Sequence, residues 1–441
     1  MTSFATHRER FIAGTYSPRD LLETYLERID ARESEVRAFA ALDAPAARRA
    51  ADASAARYRQ GAPLSAIDGM PVALKDIIET ADFPTGFGSP IFAGRHGRRD
   101  SAAAYGLRRA GAVIIGKAVT TEFADAFPGP TRNPHDLTRT PGGSSSGSAA
   151  AVAAGMVPVA LGSQVGGSIL RPASFCGVVG FKPTFGALNR GGISDQFSQN
   201  CLGTLSANLA DGWAVCHAIA AMVGGDPGFA PFTGGPVPAP ARRPDALVVL
   251  ETAGWAVADP AAIAAFEVFL ARVSAAGIRL LNRRTSARVE LLEAAQAEAG
   301  PVSQAINNWE KLWPLAELDH RRGDQISPKL HGEIAAGRSM TAEAYRILLH
   351  RRDEMRALLI ALADEADACI TLAAPGPAPL GIASTGNAIF NLPASALRTP
   401  AVSLPLLAVD GMPLGVQLIG YPQRDRELSG IAAFVADQAA G

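Results

Sequence analysis

Short uninterrupted apolar runs alternate along the chain with segments whose apolar residues recur every three or four positions. The apolar runs predict buried β-strands, since a strand covered on both faces has no polar side; they fall at 71–75, 112–116, 157–161, 246–250, 368–372, 401–404 and 415–419. The periodic segments predict helices at about 43–60, 100–110, 147–155 and 342–363, and two more that begin at Ser17-Pro18 and Asp259-Pro260. Alternating strands and helices indicate an α/β fold around a largely buried sheet.

A segment rich in glycine and proline interrupts this alternation at about 224–244, where roughly half of the residues are Gly or Pro. Such a segment is either a linker between two domains or a long surface connection within one domain. The strands predicted after it are apolar throughout, as expected if they return to the same sheet. We therefore predict a single domain over 1–441.

Composition and charge narrow the class of protein. Apolar residues make up 48% of the 441 residues and charged residues 19%, which predicts a globular chain with a large core. The formal net charge of -1 argues against nucleic acid as a partner, because a phosphate backbone calls for a basic face. The N-terminal stretch has no apolar signal-peptide region, and no apolar run reaches the ~18 residues of a membrane span. Four cysteines without CxxC spacing argue against a disulfide scaffold or a zinc knuckle. We expect a soluble, cytoplasmic protein that does not bind membranes.

The densest polar signal is the glycine- and serine-rich run PGGSSSGSAAA at 141–151. It is not a phosphate-binding loop of a known type, since neither GxGxxG nor GxxxxGK[ST] is present. Residues 143–147 match the letters of a GxSxG nucleophile elbow, but the segment before them is a poor strand and no histidine follows His350. The remaining interpretation from the residues alone is a glycine-rich loop that begins a small-residue helix.

A second run, LGSQVGGSILRPASFCGVVGFKPT at 161–184, favours catalysis. Consecutive glycines at Gly166 and Gly167 allow several backbone N–H groups to point into one hollow, which would stabilise an oxyanion. Ser168 follows them and is placed to attack a carbonyl carbon, provided that a base activates it. Lys75 ends the apolar run PVAL, and burial can lower the pKa of a lysine enough to make it a base. The alternative for Lys75 is an ion pair with an acid such as Asp76.

Together these segments resemble the amidase signature family. The resemblance rests on GMPVALKD at 69–76, PGGSSSGSAAAVAAG at 141–155 and GSQVGGSILRPASFCGVVGFKPT at 162–184, and it extends to DGMPLGVQLIG at 410–420. It implies a single α/β domain with a large central mixed β-sheet that helices cover on both faces. It also implies an enzyme that hydrolyses amide C–N bonds.

The family's Ser–cisSer–Lys triad falls on Lys75, Ser144 and Ser168 in this sequence. The resemblance implies that neutral Lys75 accepts a proton from Ser144, that Ser144 accepts one from Ser168, and that Ser168 forms an acyl-enzyme. The backbone N–H groups of Val165, Gly166, Gly167 and Ser168 would form the oxyanion hole. The peptide bond between Gly143 and Ser144 is expected to be cis.

The sequence departs from the family's commonest pattern around the nucleophile. Many relatives have an acid before the glycine loop and an arginine two residues after the serine, whereas this chain has Gln164 and Leu170 there and Arg171 one position later. This form is similar to the malonamidase-like branch of small-molecule amidases. Arg171 would then bind a substrate carboxylate, or it would pair with a structural acid or with backbone carbonyls. Ser145 and Gln164 are further candidates for substrate binding.

The sequence therefore predicts an amidohydrolase that acts on a small carboxamide, releases ammonia or an amine, and needs no metal or other cofactor. One alternative is the glutamine-hydrolysing subunit of a tRNA-dependent amidotransferase, and another is a non-catalytic binding subunit on the same fold. A homodimer is common among proteins that look like this one. We expect the pocket walls to come from 80–99, 124–136 and 300–330, the last of which contains Trp309 and Trp313.

Overall fold

The computed structural model describes residues 2–125, 127–193 and 197–439. In these residues the strands are β1 (Phe39–Leu42), β2 (Pro71–Lys75), β3 (Val113–Ala118), β4 (Val159–Gln164), β5 (Val179–Lys182), β6 (Cys201–Ser206), β7 (Ala246–Val249), β8 (Arg279–Leu281), β9 (Ala368–Leu372), β10 (Ala401–Val409) and β11 (Met412–Ile419). They form an 11-stranded sheet in the order β1-β3-β2-β4-β6-β5-β10-β11-β9-β7-β8. The sheet is mixed: β2 runs parallel to β3 and β4, for example, while β10 runs antiparallel to β5 and β11. The α/β fold and the mixed sheet are as predicted.

The helices of the described residues connect these strands. They are α1 (Phe4–Ile12), α2 (Pro18–Val36), α3 (Ala44–Arg59), α4 (Ala102–Arg109), α5 (Ser146–Ala153), α6 (Leu170–Cys176), α7 (Leu209–Val223), α8 (Pro260–Ala275), α9 (Ala287–Gln296), α10 (Ala299–Arg322), α11 (Pro328–Arg338), α12 (Ala342–Ala361), α13 (Leu392–Ala396) and α14 (Asp425–Asp437). Short 3-10 turns lie at Pro90–Phe92, Glu122–Ala124, Ala253–Val257, Gly323–Gln325 and Leu362–Asp364. The predicted start of α2 is confirmed: the Ser17 side chain accepts a hydrogen bond from the Asp20 N–H, and the Asp20 side chain accepts one from the Ser17 N–H.

Helices cover both faces of the sheet, as the side chains of strand β2 show. Val72 and Leu74 belong to one hydrophobic cluster, which also contains buried residues of α4 and α7. Ala73 belongs to a second cluster, with buried residues of α2, α3 and α5. Successive side chains of a strand point to opposite faces, so Lys75 lies on the same face as Ala73 and α5. This alternation turns Lys75 towards the glycine- and serine-rich run that begins α5.

The glycine- and proline-rich connection at 224–244 does not separate two sheets. Strands β1 to β6 precede it and β7 to β11 follow it, yet β5 pairs with β10 within one sheet. This connection therefore joins two parts of one sheet. Among the described residues, no helix is both long enough and apolar enough to cross a membrane.

Candidate active site

Lys75 lies at the end of β2 with its side chain fully buried. Its Nζ donates hydrogen bonds to Ser144 Oγ and to Ser163 Oγ, each 2.8 Å long. Ser144 precedes α5 and Ser163 lies in β4, the parallel neighbour of β2. The structure thus joins Lys75 to Ser144, the predicted cis serine of the triad, across 69 residues of sequence.

Asp76, the acid next to Lys75, pairs with a different lysine. Lys117 Nζ lies 3.2 Å from Asp76 Oδ1, and neither side chain is more than 7% exposed. Lys117 also donates to Thr85 Oγ1 at 2.7 Å, and Asp76 Oδ2 accepts the Gly86 N–H at 3.0 Å. Burial raises the pKa of Asp76 and lowers that of Lys117, although each charge opposes the shift of the other. This pair anchors the loop that follows β2.

The loop before α5 contains the predicted cis peptide bond between Gly143 and Ser144. Ser144 is 2% exposed, and its carbonyl oxygen accepts hydrogen bonds from the Thr121 N–H and from Thr120 Oγ1. Gly142 adopts φ 82°, and a Cβ at this position would lie 2.9 Å from Pro172 Cα. Glycine at 142 therefore allows the loop to approach α6.

Arg171 holds this loop from α6. Its Nε and Nη2 donate to the Gly143 carbonyl oxygen at 3.2 and 2.6 Å, and its Nη1 donates to the Gly386 carbonyl oxygen at 2.7 Å. Burial lowers the pKa of this guanidinium to about 10. Of the partners within the protein that the sequence left open, an acid or backbone carbonyls, Arg171 bonds to backbone carbonyls. Arg171 also lines the cavity around Ser168.

Gln164 lies behind the predicted oxyanion loop, at the end of β4, with its side chain fully buried. Its Oε1 accepts the N–H groups of Ile169 and Leu170, and its Nε2 donates to Ser395 Oγ at 3.0 Å. Ser395 in turn donates to the Gly166 carbonyl oxygen at 2.6 Å. Both ends of the Gln164 amide are therefore used to support the loop.

Ser145 connects the two serine-containing segments. Its N–H donates to the Ser168 carbonyl oxygen at 3.2 Å, and its Oγ donates to the Ser163 carbonyl oxygen at 3.3 Å. The Ser145 side chain is fully buried. Gly167 faces Asn391 from the other side, where an added Cβ would lie 2.6 Å from Asn391 Oδ1. The loop is thus packed between α5 and the segment that leads into α13.

A cavity of about 600 Å³ opens in front of this loop. Its lining contains the predicted nucleophile, Ser168, and all of the predicted oxyanion residues, namely Val165, Gly166, Gly167 and Ser168. Lys75, Ser144, Ser145 and Gln164 are buried behind it. Of the predicted triad, only Ser168 lines the cavity, together with the glycine-rich loop, while Lys75 is kept away from solvent.

Two of the predicted wall segments line this cavity. The segment 124–136 supplies Ala124 and Asp125, while Ala126 lies outside the described residues; the segment 300–330 supplies Ser303, Gln304, Asn307, Lys311 and Lys329. The loop 80–99 lines a neighbouring cavity instead, and so does Trp313. The Trp309 ring stacks on Tyr345, with the two centroids 5.5 Å apart. Of the two tryptophans, only Trp313 is a wall residue of these cavities.

The sequence did not single out three of the groups that hold the site together: Ser163, Ser395 and Asn391. Asn391 donates to the Ala373 carbonyl oxygen and to Gln417 Oε1, both at 2.9 Å. Ser163 was detectable in principle, because it is the one hydroxyl in the apolar run that leads to Gln164. Ser395 and Asn391 come from a segment without any motif, so no local signal marked them. Among the described residues, no group of three or more His, Cys, Asp and Glu side chains could hold a metal ion.

Comparison with known families shows to which family the chain belongs. The family model described as Amidase matches residues 20–428. This chain belongs to the amidase signature family. As a member of it, the chain is an enzyme that acts on the C–N bonds of amides.

Relatives of this amidase include two proteins named as the A subunit of glutamyl-tRNA(Gln) amidotransferase. The one from Symbiobacterium thermophilum is 33% identical over 473 residues, which cover 98% of this chain and 96% of the relative. The one from Chloroflexus aggregans is 32% identical over 449 residues, which cover 93% and 91%.

Solved structures resemble the amidase over its whole length. The peptide amidase of Stenotrophomonas maltophilia has 25% identity and a TM-score of 0.76, and the match covers 100% of this chain and 97% of that one. A chain of an inhibitor-bound vestigial protein complex, connected with the origins of an s-triazine catabolic enzyme, has 29% identity and a TM-score of 0.84. That match covers 98% of this amidase and 97% of the other chain.

Proposed function

We propose that this amidase hydrolyses a small carboxamide through an acyl-enzyme on Ser168, with no metal or other cofactor. The observation that carries the proposal is the 2.8 Å hydrogen bond between buried Lys75 Nζ and Ser144 Oγ, behind a cavity that Ser168 lines. A lysine in this setting can act as a base, because burial disfavours its charged form.

In the proposed reaction Lys75 takes the proton of Ser144 while Ser144 takes the proton of Ser168. Ser168 Oγ then bonds to the carbonyl carbon of the amide, and the carbonyl oxygen becomes an oxyanion. The N–H groups of Val165, Gly166, Gly167 and Ser168 stabilise this charge. When the C–N bond breaks, Ser144 returns a proton to the leaving nitrogen. Water then attacks the ester, which releases the acid and restores Ser168.

We assign Arg171, Gln164 and Ser145 to positioning within this mechanism. Arg171 binds the carbonyl of the peptide bond that precedes Ser144, and Gln164 binds two N–H groups that follow Ser168. Ser145 joins the backbone of Ser168 to that of Ser163. Arg171 alone of the three also lines the cavity, so a substrate with an acid group would meet it there.

Labelling with a fluorophosphonate and an ammonia-release assay on simple amides test the proposal. The wild-type protein should be labelled on Ser168 and should turn over amides, whereas Ser168→Ala should do neither. Ser339→Ala, at an exposed serine that follows α11, is the matched control and should keep both properties. Labelling of Ser144 or Ser145 in the Ser168→Ala protein would overturn the assignment. A protein that only binds its ligand would give neither labelling nor turnover in the wild type.

A second candidate function is the glutamine-hydrolysing subunit of a tRNA-dependent amidotransferase. The names of the relatives favour it, since the chain covers more than 90% of two proteins that carry the name of an amidotransferase component. The same triad would then act on glutamine inside a larger assembly. Ammonia release from simple amides by the isolated chain would favour the first function. Release from glutamine alone, and only once partner proteins are added, would favour the second.

The proposal includes a cytoplasmic location and allows a homodimer. Sedimentation velocity of the purified chain, at several concentrations, tests the oligomeric state. A mass that stays at 45.7 kDa throughout would exclude the homodimer.

A further inference from the structure

A second cavity adjoins the one that contains Ser168. Its volume is about 520 Å³, and it shares four lining residues with the first: Phe123, Asp125, Phe197 and Lys311. We call this second cavity the antechamber. Most of its remaining lining is apolar: Phe87, Phe92, Trp313, Pro314, Leu315 and Leu318. The proposed mechanism uses none of these residues.

The aromatic rings of the antechamber form a continuous surface. Phe87 and Phe92 meet edge to face with centroids 5.1 Å apart, and Phe92 meets Phe123 in the same way at 6.0 Å. These separations are the ones at which aromatic rings attract each other beyond simple burial. The three rings therefore form one joined part of the antechamber lining.

Phe123 stands at the boundary because of an uncommon backbone conformation. Phe123 and Ala124 have φ values of 47° and 59°, in the left-handed region that non-glycine residues seldom adopt. The Phe123 N–H donates to the Phe87 carbonyl oxygen at 2.8 Å. This turn directs Phe123 into the lining of both cavities.

Ion pairs fix the polar side of the boundary. Lys311 of α10 bonds to Asp125 and, at 2.7 Å, to Glu333 of α11, and Lys329 lies 3.3 Å from Asp125. These contacts tie the segment after Phe123 to the helix pair α10–α11. The antechamber is thus assembled from the loop after β2, the turn around Phe123 and α10.

Trp313 forms the outer wall of the antechamber, with 77% of its surface exposed. Covering a large exposed aromatic ring with an apolar group is favourable, because it removes apolar surface from water. A ligand that filled the antechamber would provide this cover.

We infer that the antechamber binds an apolar or aromatic group that the substrate carries several bonds away from the scissile amide. This inference rests on the proposed function, since the group is part of the substrate that Ser168 attacks. The volume of the antechamber falls within the range of small-molecule sites, about 300–1,000 Å³. The lining residues that the antechamber shares with the Ser168 cavity favour the substrate over a partner protein as the occupant.

Two series of substrates test the inference. They also show whether the apolar group that enters the antechamber is attached to the acyl side or to the nitrogen side of the amide. One series lengthens the acyl side, from acetamide to hexanamide to 6-phenylhexanamide, and the other places the phenylalkyl group on the nitrogen of acetamide. We expect kcat/KM to rise by at least about tenfold along one series, as a buried phenyl ring contributes a large apolar surface. Turnover of acetamide with no rise along either series would overturn the inference and leave the proposed function standing.

Substitution of Trp313 identifies the site of the effect. In Trp313→Ala the ratio of kcat/KM for the phenyl substrate to that for acetamide should fall about fivefold. Trp313 is mostly exposed, so its removal should not unfold the chain; Phe92→Ala, inside the antechamber, should lower the same ratio. Val268→Ala, which truncates an exposed residue of α8, is the control and should leave the ratio unchanged. An unchanged ratio in both aromatic variants would overturn the inference.

A binding measurement separates this inference from the proposed function. In the Ser168→Ala protein, the phenyl substrate should shift tryptophan fluorescence to the blue, and the shift should disappear in the Ser168→Ala/Trp313→Phe protein. A shift without turnover in the wild type would support the antechamber while contradicting the proposed hydrolysis. A shift that depends on protein concentration and not on ligand would assign this surface to a second copy of the chain, against the inference.

Discussion

Arg171 donates two hydrogen bonds to the carbonyl oxygen of Gly143, the residue joined to Ser144 by a cis peptide bond. The Arg171 side chain, on α6, is thereby tied to the loop that contains Ser144, and Ser144 bonds to Lys75. Substitution at 171 should consequently displace Ser144, even though Arg171 is remote from that serine in the sequence.

Arg171→Leu is expected to lower kcat by at least about tenfold, because it removes charge-assisted hydrogen bonds worth roughly 1.5–3 kcal/mol. The measurement compares a malonamic-type half-amide with its neutral methyl ester. A positioning role predicts equal losses on both substrates and little change in KM. If the loss falls at least tenfold more heavily on the acid, Arg171 binds the substrate carboxylate instead.

Lys75→Ala is expected to lower amide turnover by several orders of magnitude, since Ser144 would lose the group that takes its proton. Lys75→Arg should not restore turnover, because arginine keeps its proton in proteins. Ammonia release measures the turnover of both variants. Lys75→Met, whose side chain is about as long as that of lysine but contains no base, is the matched control. An active Lys75→Arg enzyme would disprove the neutral-lysine mechanism.

Gln164→Leu should lower activity without removing any group that faces the cavity. The variant leaves the N–H groups of Ile169 and Leu170 without their acceptor, and it leaves Ser395 without its donor. A buried group that loses its partner costs about 1–3 kcal/mol, so the midpoint of thermal unfolding should fall together with kcat. Gln164→Glu keeps the acceptor but buries a charge and should also be impaired. Full activity in Gln164→Leu would mean that the loop holds its shape unaided.

Lys117→Met should destabilise the fold in a manner that depends on pH. Burial already raises the pKa of Asp76, and loss of its partner Lys117 raises that pKa further. In the variant, a buried and unpaired carboxylate therefore destabilises the fold at every pH at which Asp76 is ionised. The free energy of unfolding from urea titrations should fall by about 3–5 kcal/mol at pH 8. This deficit should shrink as the pH is lowered and Asp76 takes up a proton.

The double variant Asp76→Asn/Lys117→Met is the control for this pair. Removing both charges should recover much of the stability at pH 8, because no unpaired charge stays buried. A deficit in Lys117→Met that is the same at pH 5 and pH 8 would show that its cause is packing and not the carboxylate.

The local features of this protein are readable from its amino-acid sequence. The apolar run at 71–75 is the strand β2 as predicted, and its last residue, Lys75, is the buried lysine of the site. The run at 141–151 contains the cis bond that the family resemblance implied. Strand ends shifted by a few residues, as between the predicted 157–161 and the observed Val159–Gln164. Such features are readable because one stretch of chain carries the whole pattern.

Which distant groups meet depends on how the chain folds. Gln164 reaches Ser395 across 231 residues, and Arg171 reaches Gly386 across 215. Asp76 pairs with Lys117 because β2 and β3 are neighbours in the sheet, which places the two side chains 3.2 Å apart. The order of strands also brings α10 over the loop after β2, so that Trp313 lines the antechamber while Trp309 stacks on Tyr345. A hydrogen bond or ion pair requires its partners within about 3–4 Å, and for residues so far apart in sequence only the assembled sheet and helices set that distance.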